Sequence, residues 1–401
     1  MAPTSPSRSS LSRSLKSRCA VCCLAVLAFA GVVPAAAAPF MIIGNDEKPG
    51  TDAQGKPIVN ATGNDTVQIL DLAKPEAPQT VATLKLENSI VGPPVNLAIS
   101  PNGRIALVAD SITVVEDNGV RKAVPSDKLF VIDMKSTPPA LIQTLILGKQ
   151  PSGLSFSPTG DMALVCNRAD GTISVLKIDG TKVTQTGTIP ISPGVSQVVF
   201  TPDGKRALAV KSPDNKLAVL DVDGDKVTYG KLDLPTYAFP YNVVVTPDSK
   251  LALTADNGNN GSSDGNADAV SVVDLEGPHP HVIAHVTVED APEGLAMSPK
   301  GDLAVVLNVN GSNMPQAWFH HPTGSLTILH INGKTVTPIK TLQVGAFPEA
   351  VAFSPDGRYI YVGNYADADL SILKVDGTDV VDTGKRFKLD GHPASARMGP
   401  G

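Results

Sequence analysis

The stretch Gly153-Leu-Ser-Phe-Ser-Pro-Thr-Gly-Asp-Met-Ala-Leu-Val-Cys166 decides the fold. Apolar residues alternate up to Ser157, a corner Ser157-Pro158-Thr159-Gly160 follows, and an apolar run resumes. Proline sets φ at the first corner of such a turn and glycine supplies the positive φ that closes it. Two strands joined this way form a β-hairpin. After a polar break at residues 167–171, Thr172 to Ile178 alternates again, and Asp179-Gly180 is a second hairpin signal before Lys182 to Ile189. The unit is four antiparallel strands.

The corner phrase returns six times, at Ser100-Pro101, Ser157-Pro158, Thr201-Pro202, Thr246-Pro247, Ser298-Pro299 and Ser354-Pro355. Successive copies stand 57, 44, 45, 52 and 56 residues apart. A phrase recurring at that period marks a repeat architecture, and four strands per repeat make a propeller blade. Third strands number seven, the first of them Val67 to Asp71 ahead of any corner phrase. Its missing partner lies at the other end, where Gly391-His-Pro-Ala-Ser-Ala-Arg-Met398 matches the lead-in Gly345-Ala-Phe-Pro-Glu-Ala-Val-Ala352. The expectation is an all-β, seven-bladed β-propeller, its ring closed by a C-terminal inner strand that joins three N-terminal strands. Closure removes the open sheet edges.

Residues 1–37 read differently. Arg8, Arg13, Lys16 and Arg18 precede an apolar run from Cys19 to Val33 and a small-residue site at Ala35 to Ala38. This is the pattern of a secretory signal peptide, with cleavage expected after Ala37. It leaves residues 38–401 as one propeller domain with no membrane span, periplasmic or secreted, and expected to be a monomer. The mature chain would carry 29 basic and 39 acidic residues, a balance that argues against binding nucleic acid. Only Cys166 would remain, so neither an internal disulfide nor a thiolate metal site can form.

Loops into first strands and between second and third strands open on one face, where binding groups ride on a rigid scaffold. Four second-to-third connections are long: 45–65, 110–127, 256–268 and 308–324. The last holds Trp318, Phe319, His320 and His321, expected as a binding anchor at the channel mouth. First-strand entrances offer Asn96, Gln197, Asn242, Glu293, Glu349 and His392; second-strand ends add Asp110, Arg168, Lys211, Asp256, Asn308, Asn364 and Tyr365. Among these, Glu293, Glu349, Arg168 and His392 are the catalytic candidates. Carboxylates crowded into a funnel gain proton affinity and can act as acid or base. Asn96, Gln197, Asn242, Asn364 and Tyr365 are candidate ligand contacts. The carboxylates of the 256–268 loop could hold one Ca²⁺; no other cofactor is indicated.

With Tyr359-Ile-Tyr-Val-Gly-Asn-Tyr365 beside Ser354-Pro-Asp-Gly357 and Leu370-Ser-Ile-Leu373, the chain resembles the YVTN-repeat family of β-propellers. Gly363 stands where the motif has Thr. The resemblance runs from about Phe40 to the C-terminus and extends to surface-layer-type propellers and the lactonase-like superfamily. It implies the fold; members differ in activity. The expectation is an exported propeller that binds a small molecule or a periplasmic partner protein at its long-loop face. The alternative is a lactonase- or cycloisomerase-type enzyme at the channel mouth.

Overall fold

The computed structural model describes residues 39–51, 57–89 and 91–400. The leader and its cleavage site lie outside them. Seven four-stranded antiparallel sheets follow one another along the chain. Numbered by their second strands, blade one contains Phe40–Asn45, Thr66–Asp71 and Gln79–Lys85, with Pro393–Met398 as its innermost strand. That strand pairs antiparallel with Phe40–Asn45, aligning Met41 with Met398 and Ile43 with Ala396. Blades two to seven have inner strands Leu97–Ile99, Pro151–Phe156, Val195–Phe200, Pro240–Val245, Pro292–Met297 and Pro348–Phe353.

The corner phrase is a real turn in every copy. The fourth residue donates its amide to the first residue's carbonyl at 2.8–3.0 Å. Its φ lies between +61° and +76°, for Ser249 as for the five glycines. The opening Ser or Thr is needed too, because its Oγ accepts an amide five residues on, from Ile105 in the first copy to Tyr359 in the last. Each hairpin therefore satisfies its own corner.

Strand side chains point alternately to the two flanking blades, so the core is divided into seven apolar clusters. Each joins two consecutive blades, as Leu107, Val131, Leu154 and Val165 join blades two and three. Blades seven and one share a cluster around Tyr361, Leu370, Met41 and Ala396. An open row of seven blades would have six such interfaces; this molecule has seven.

Two connections expected as loops are sheet. Ile105–Asp117 and Val120–Asp133 run on past blade two as a long ribbon, turning at Asn118-Gly119 with both residues at positive φ. Asn-Gly is the favoured pair for that tight hairpin. In the 45–65 connection, Pro49–Thr51 pairs with Pro57–Val59 as a separate two-stranded sheet. No helix of the described residues is long and apolar enough to cross a membrane.

Candidate functional site

Inner strands begin with proline in five blades, and the next residue in each is Ser152, Tyr241, Glu293, Glu349 or Ala394. The pairing register shifts immediately after this point in blades three, four, five, six and seven. Such bulges bend a strand and re-aim a side chain. The residues ahead of the prolines, Gln150, Phe239, Ala291 and Phe347, adopt left-handed φ values of +50° to +61°, a strained choice for non-glycine residues. Glu293 and Glu349 are therefore structural equivalents in adjacent blades, and Tyr241 is their equivalent one blade earlier.

Both glutamates are buried. Asn257 Nδ2 donates to Glu293 Oε1 at 3.3 Å, whereas neither oxygen of Glu349 meets a donor if both acids are ionised. The two carboxyls face each other, so one proton between them turns an orphaned pair of acceptors into a hydrogen bond. Burial raises the proton affinity of both. In Glu349 the neighbouring Glu293 charge raises it further; in Glu293 the Asn257 amide and the Arg168 charge work against the rise. Glu349 is thus the acid that keeps its proton and Glu293 the one that can lose it. The proton count is a property of the pair.

Arg168 arrives from blade three. Its guanidinium lies 5.9 Å from the centre of the Tyr241 ring. Burial and the two glutamate charges lift the Tyr241 phenol above its ordinary range, so it is a neutral O–H donor. The connection from blade one roofs this cluster: Gly92, Pro93 and Pro94 are buried, and the Gly92 amide is turned toward the Tyr241 hydroxyl. Gly92 has φ +130°, and a Cβ there would come within 2.4 Å of Ser152 Oγ and 3.7 Å of Arg168.

His392 stands one layer out, because it precedes its strand's proline instead of following it. Its Nδ1 bonds the Tyr365 carbonyl at 2.7 Å, and its ring lies 5.1 Å from that of Tyr365. The Tyr365 hydroxyl donates to the Asp46 carbonyl, and its phenol is raised by burial and by charges that include Glu349. Tyr365 and His392 therefore form a flank behind the carboxyl pair.

The amide candidates each have partners within the fold. Asn96 donates to the Ala109 carbonyl, Gln197 exchanges two hydrogen bonds with Val243, Asn242 donates to the Glu293 carbonyl, and Asn364 bonds Asp369 and Ser371. All four are buried, and the Oδ1 atoms of Asn96 and Asn242 meet no donor among the described residues. Lys211 pairs with Asp214 and Asp233, Asn308 with Ser325 and Thr327, and Asp256 with Thr254 and Ser271, each within its own blade. Trp318, Phe319, His320 and His321 stand together on one cleft. It measures about 510 Å³ and is lined also by Glu289, Asp290 and Gln343, residues at or just beyond outer strands, and Trp318 is 87% exposed. The carboxylates of the 256–268 loop are spent separately: Asp256 on hydroxyls, Asp264 on the Asn266 amide and Asp268 on the Ala291 amide. Among the described residues no three His, Cys, Asp or Glu side chains are grouped to hold a metal.

Two features escaped the sequence. Tyr241 is one. The other is Lys48, fully buried beside the roof with its ammonium on Asp46, Asp65 and the Asn88 carbonyl. Burial alone would lower its proton affinity; Asp46 and Asp65 reverse the sign, so it stays charged.

No family model matches the chain, and no curated relative does. Solved structures do. The fold is similar to that of a candidate 6-phosphogluconolactonase from Bacteroides fragilis, with TM-score 0.70 and 15% identity over 90% of this chain and 98% of that one. It is also similar to a periplasmic gluconolactonase from Pseudomonas aeruginosa, TM-score 0.65 and 17% identity over 90% and 98%. A third likeness is to the hydrazine synthase of Kuenenia stuttgartiensis, TM-score 0.59 and 18% identity over 78% and 91%. At these identities what is shared is the propeller fold.

Proposed function

We propose that this chain opens a lactone ring by hydrolysis at the roofed end of its channel. The observation that carries the reading is the buried Glu293–Glu349 pair, two carboxyls of raised proton affinity beside a guanidinium and a neutral phenol. Ionised Glu293 takes a proton from water as the water oxygen bonds to the acyl carbon. Arg168 and the Tyr241 hydroxyl stabilise the negative charge that develops on the carbonyl oxygen. Collapse breaks the bond from acyl carbon to ring oxygen, and the departing alkoxide recovers a proton from the glutamate pair. The product is a hydroxy acid, and no oxidant or cofactor is required. The likeness to lactonase-like folds supports this class.

The test is proton release in a pH-stat by purified protein against γ- and δ-lactones. Saturable turnover lowered about 10²-fold or more in Glu293→Gln, with folding retained, supports the reading. Turnover unchanged in that variant ends it. Binding of a partner protein at the Trp318 cleft remains a second reading, supported by the exposed indole on a cleft of its own; unchanged affinity of Trp318→Ala for a partner captured by the wild type would remove it. Export belongs to the same proposal, and mass spectrometry of secreted protein beginning at Ala38 would establish the cleavage.

A further inference from the structure

The opposite end of the channel is a different chamber. Five prolines of the corner phrases, Pro101, Pro158, Pro202, Pro299 and Pro355, stand around a cavity of about 670 Å³. Its walls are largely apolar, with Leu154, Phe156, Val199, Met297 and Phe353 among them, and no acidic side chain of the described residues lines it. One charged group does: Arg397, from the strand that completes blade one.

Arg397 has no acidic partner among the described residues. Its one hydrogen bond goes to the carbonyl of its own neighbour, Ala396, at 2.8 Å. Burial with no compensating charge depresses its proton affinity to about 10, so it remains protonated at neutral pH. Arg397 is half-buried, so its guanidinium faces the apolar walls of the chamber while still reaching water. Four of its five N–H donors are left for something else. The contrast with the two buried lysines is direct: Lys48 has Asp46 and Asp65, and Lys211 has Asp214 and Asp233.

We infer that this chamber is a binding site for a monoanionic organic acid with an apolar body, its carboxylate paired bidentate with Arg397 and its carbon skeleton against the walls. The planar fork of arginine fits a carboxylate, and the volume falls in the range of small-molecule pockets. The chamber is separate from the glutamate pair. Asn242 lines it while donating to the Glu293 carbonyl oxygen, so the floor of one site is the back of the other. The inference stands whether or not the chain hydrolyses lactones.

The experiment is calorimetric titration with 4-phenylbutyrate and with its neutral amide, 4-phenylbutanamide. Saturable binding of the acid is expected, at least about 10-fold tighter than the amide, because one charge-assisted pair in an apolar site contributes at least that factor. In Arg397→Met the acid should weaken by about 10-fold or more and fall to the level of the amide. Thermal melting checks the fold, and removal of an unpaired charge should leave the midpoint equal or higher. Val199→Trp keeps the cation while filling the chamber and should abolish binding of both ligands. Absence of saturable binding, equal affinity for acid and amide, or an acid affinity unchanged in Arg397→Met overturns the proposal.

Discussion

The two ends of one channel solve opposite electrostatic problems. At the roofed end, two acids share a space and settle the conflict by keeping a proton, with Arg168 and Asn257 holding the remaining charge. At the proline-ringed end, Arg397 stands in largely apolar surroundings with no acidic partner among the described residues. The first arrangement is internally balanced and can cycle a proton; the second is unbalanced until an anion arrives. Both are built from the same repeat, since inner-strand bulges set the first and corner prolines set the second. A shared scaffold thus presents two different environments because a few positions in each tier break the repeat.

The largest expected effects would break this comparison. Arg168→Met should lower lactone turnover about 10²- to 10³-fold, the usual loss for one oxyanion donor, and leave 4-phenylbutyrate affinity within about 2-fold. Arg397→Met should do the reverse. If either variant moves both readouts, the channel is one site and the division described here fails. Glu349→Gln tests the assignment within the pair: an amide still donates to Glu293, so more turnover should survive than in Glu293→Gln, as the ratio of the two rates will show.

Next comes the roof. Gly92→Ala forces a Cβ into a φ that only glycine adopts freely, at a cost of about 1–3 kcal/mol measured by urea unfolding. Adding Ser152→Ala removes the nearest clash, at 2.4 Å, and should recover part of that loss, leaving the backbone strain. Full recovery would show that sterics alone require the glycine.

The smallest effect is a slope. Burial raises Asp110 and Asp256 to about 7 and Asp268 to about 6. Between about pH 4 and 7 the folded state therefore holds protons that the unfolded chain has released, and stability falls as pH rises. The turn aspartates Asp161, Asp203, Asp248 and Asp356 have the opposite sign, being lowered by hydrogen bonds from the corner phrases that outweigh their partial burial. Their contribution is lost only as pH drops below the ordinary Asp range, near 4. Urea midpoints should be higher at pH 5 than at pH 8, and Asp256→Asn should flatten the difference, by at most about 1.4 kcal/mol per pH unit. A midpoint rising toward pH 8 would contradict the burial assigned to these acids.

The ring was readable because its signals are local. Each corner phrase names its own turn, and the match of residues 391–398 to 345–352 pointed to the closing strand. Asn118-Gly119 named a hairpin as plainly, but the surrounding polar residues made residues 110–127 read as loop. The glutamates were found by their place at strand entrances, whereas Tyr241 was not, although it too follows an inner-strand proline. His392 stands at the same landmark, ahead of its proline instead of after it. Whether a strand-end amide such as Asn364 faces the axis or its own blade depends on the bulge, and nothing in the residue itself records that. Arg397 is the clearest case. In Pro393 to Met398 it reads as one polar residue in an alternating strand; its isolation is set by walls from six other blades.

The closing strand also dictates an order of events. Blade one cannot acquire its innermost strand until residue 398 has been made, so its first three strands exist for most of synthesis with an unsatisfied edge. The remaining blades can stack as they appear, but the cluster between blades seven and one forms last. A chain stalled before Pro393 would present that edge to other chains, and the hazard for this architecture is intermolecular strand exchange at blade one.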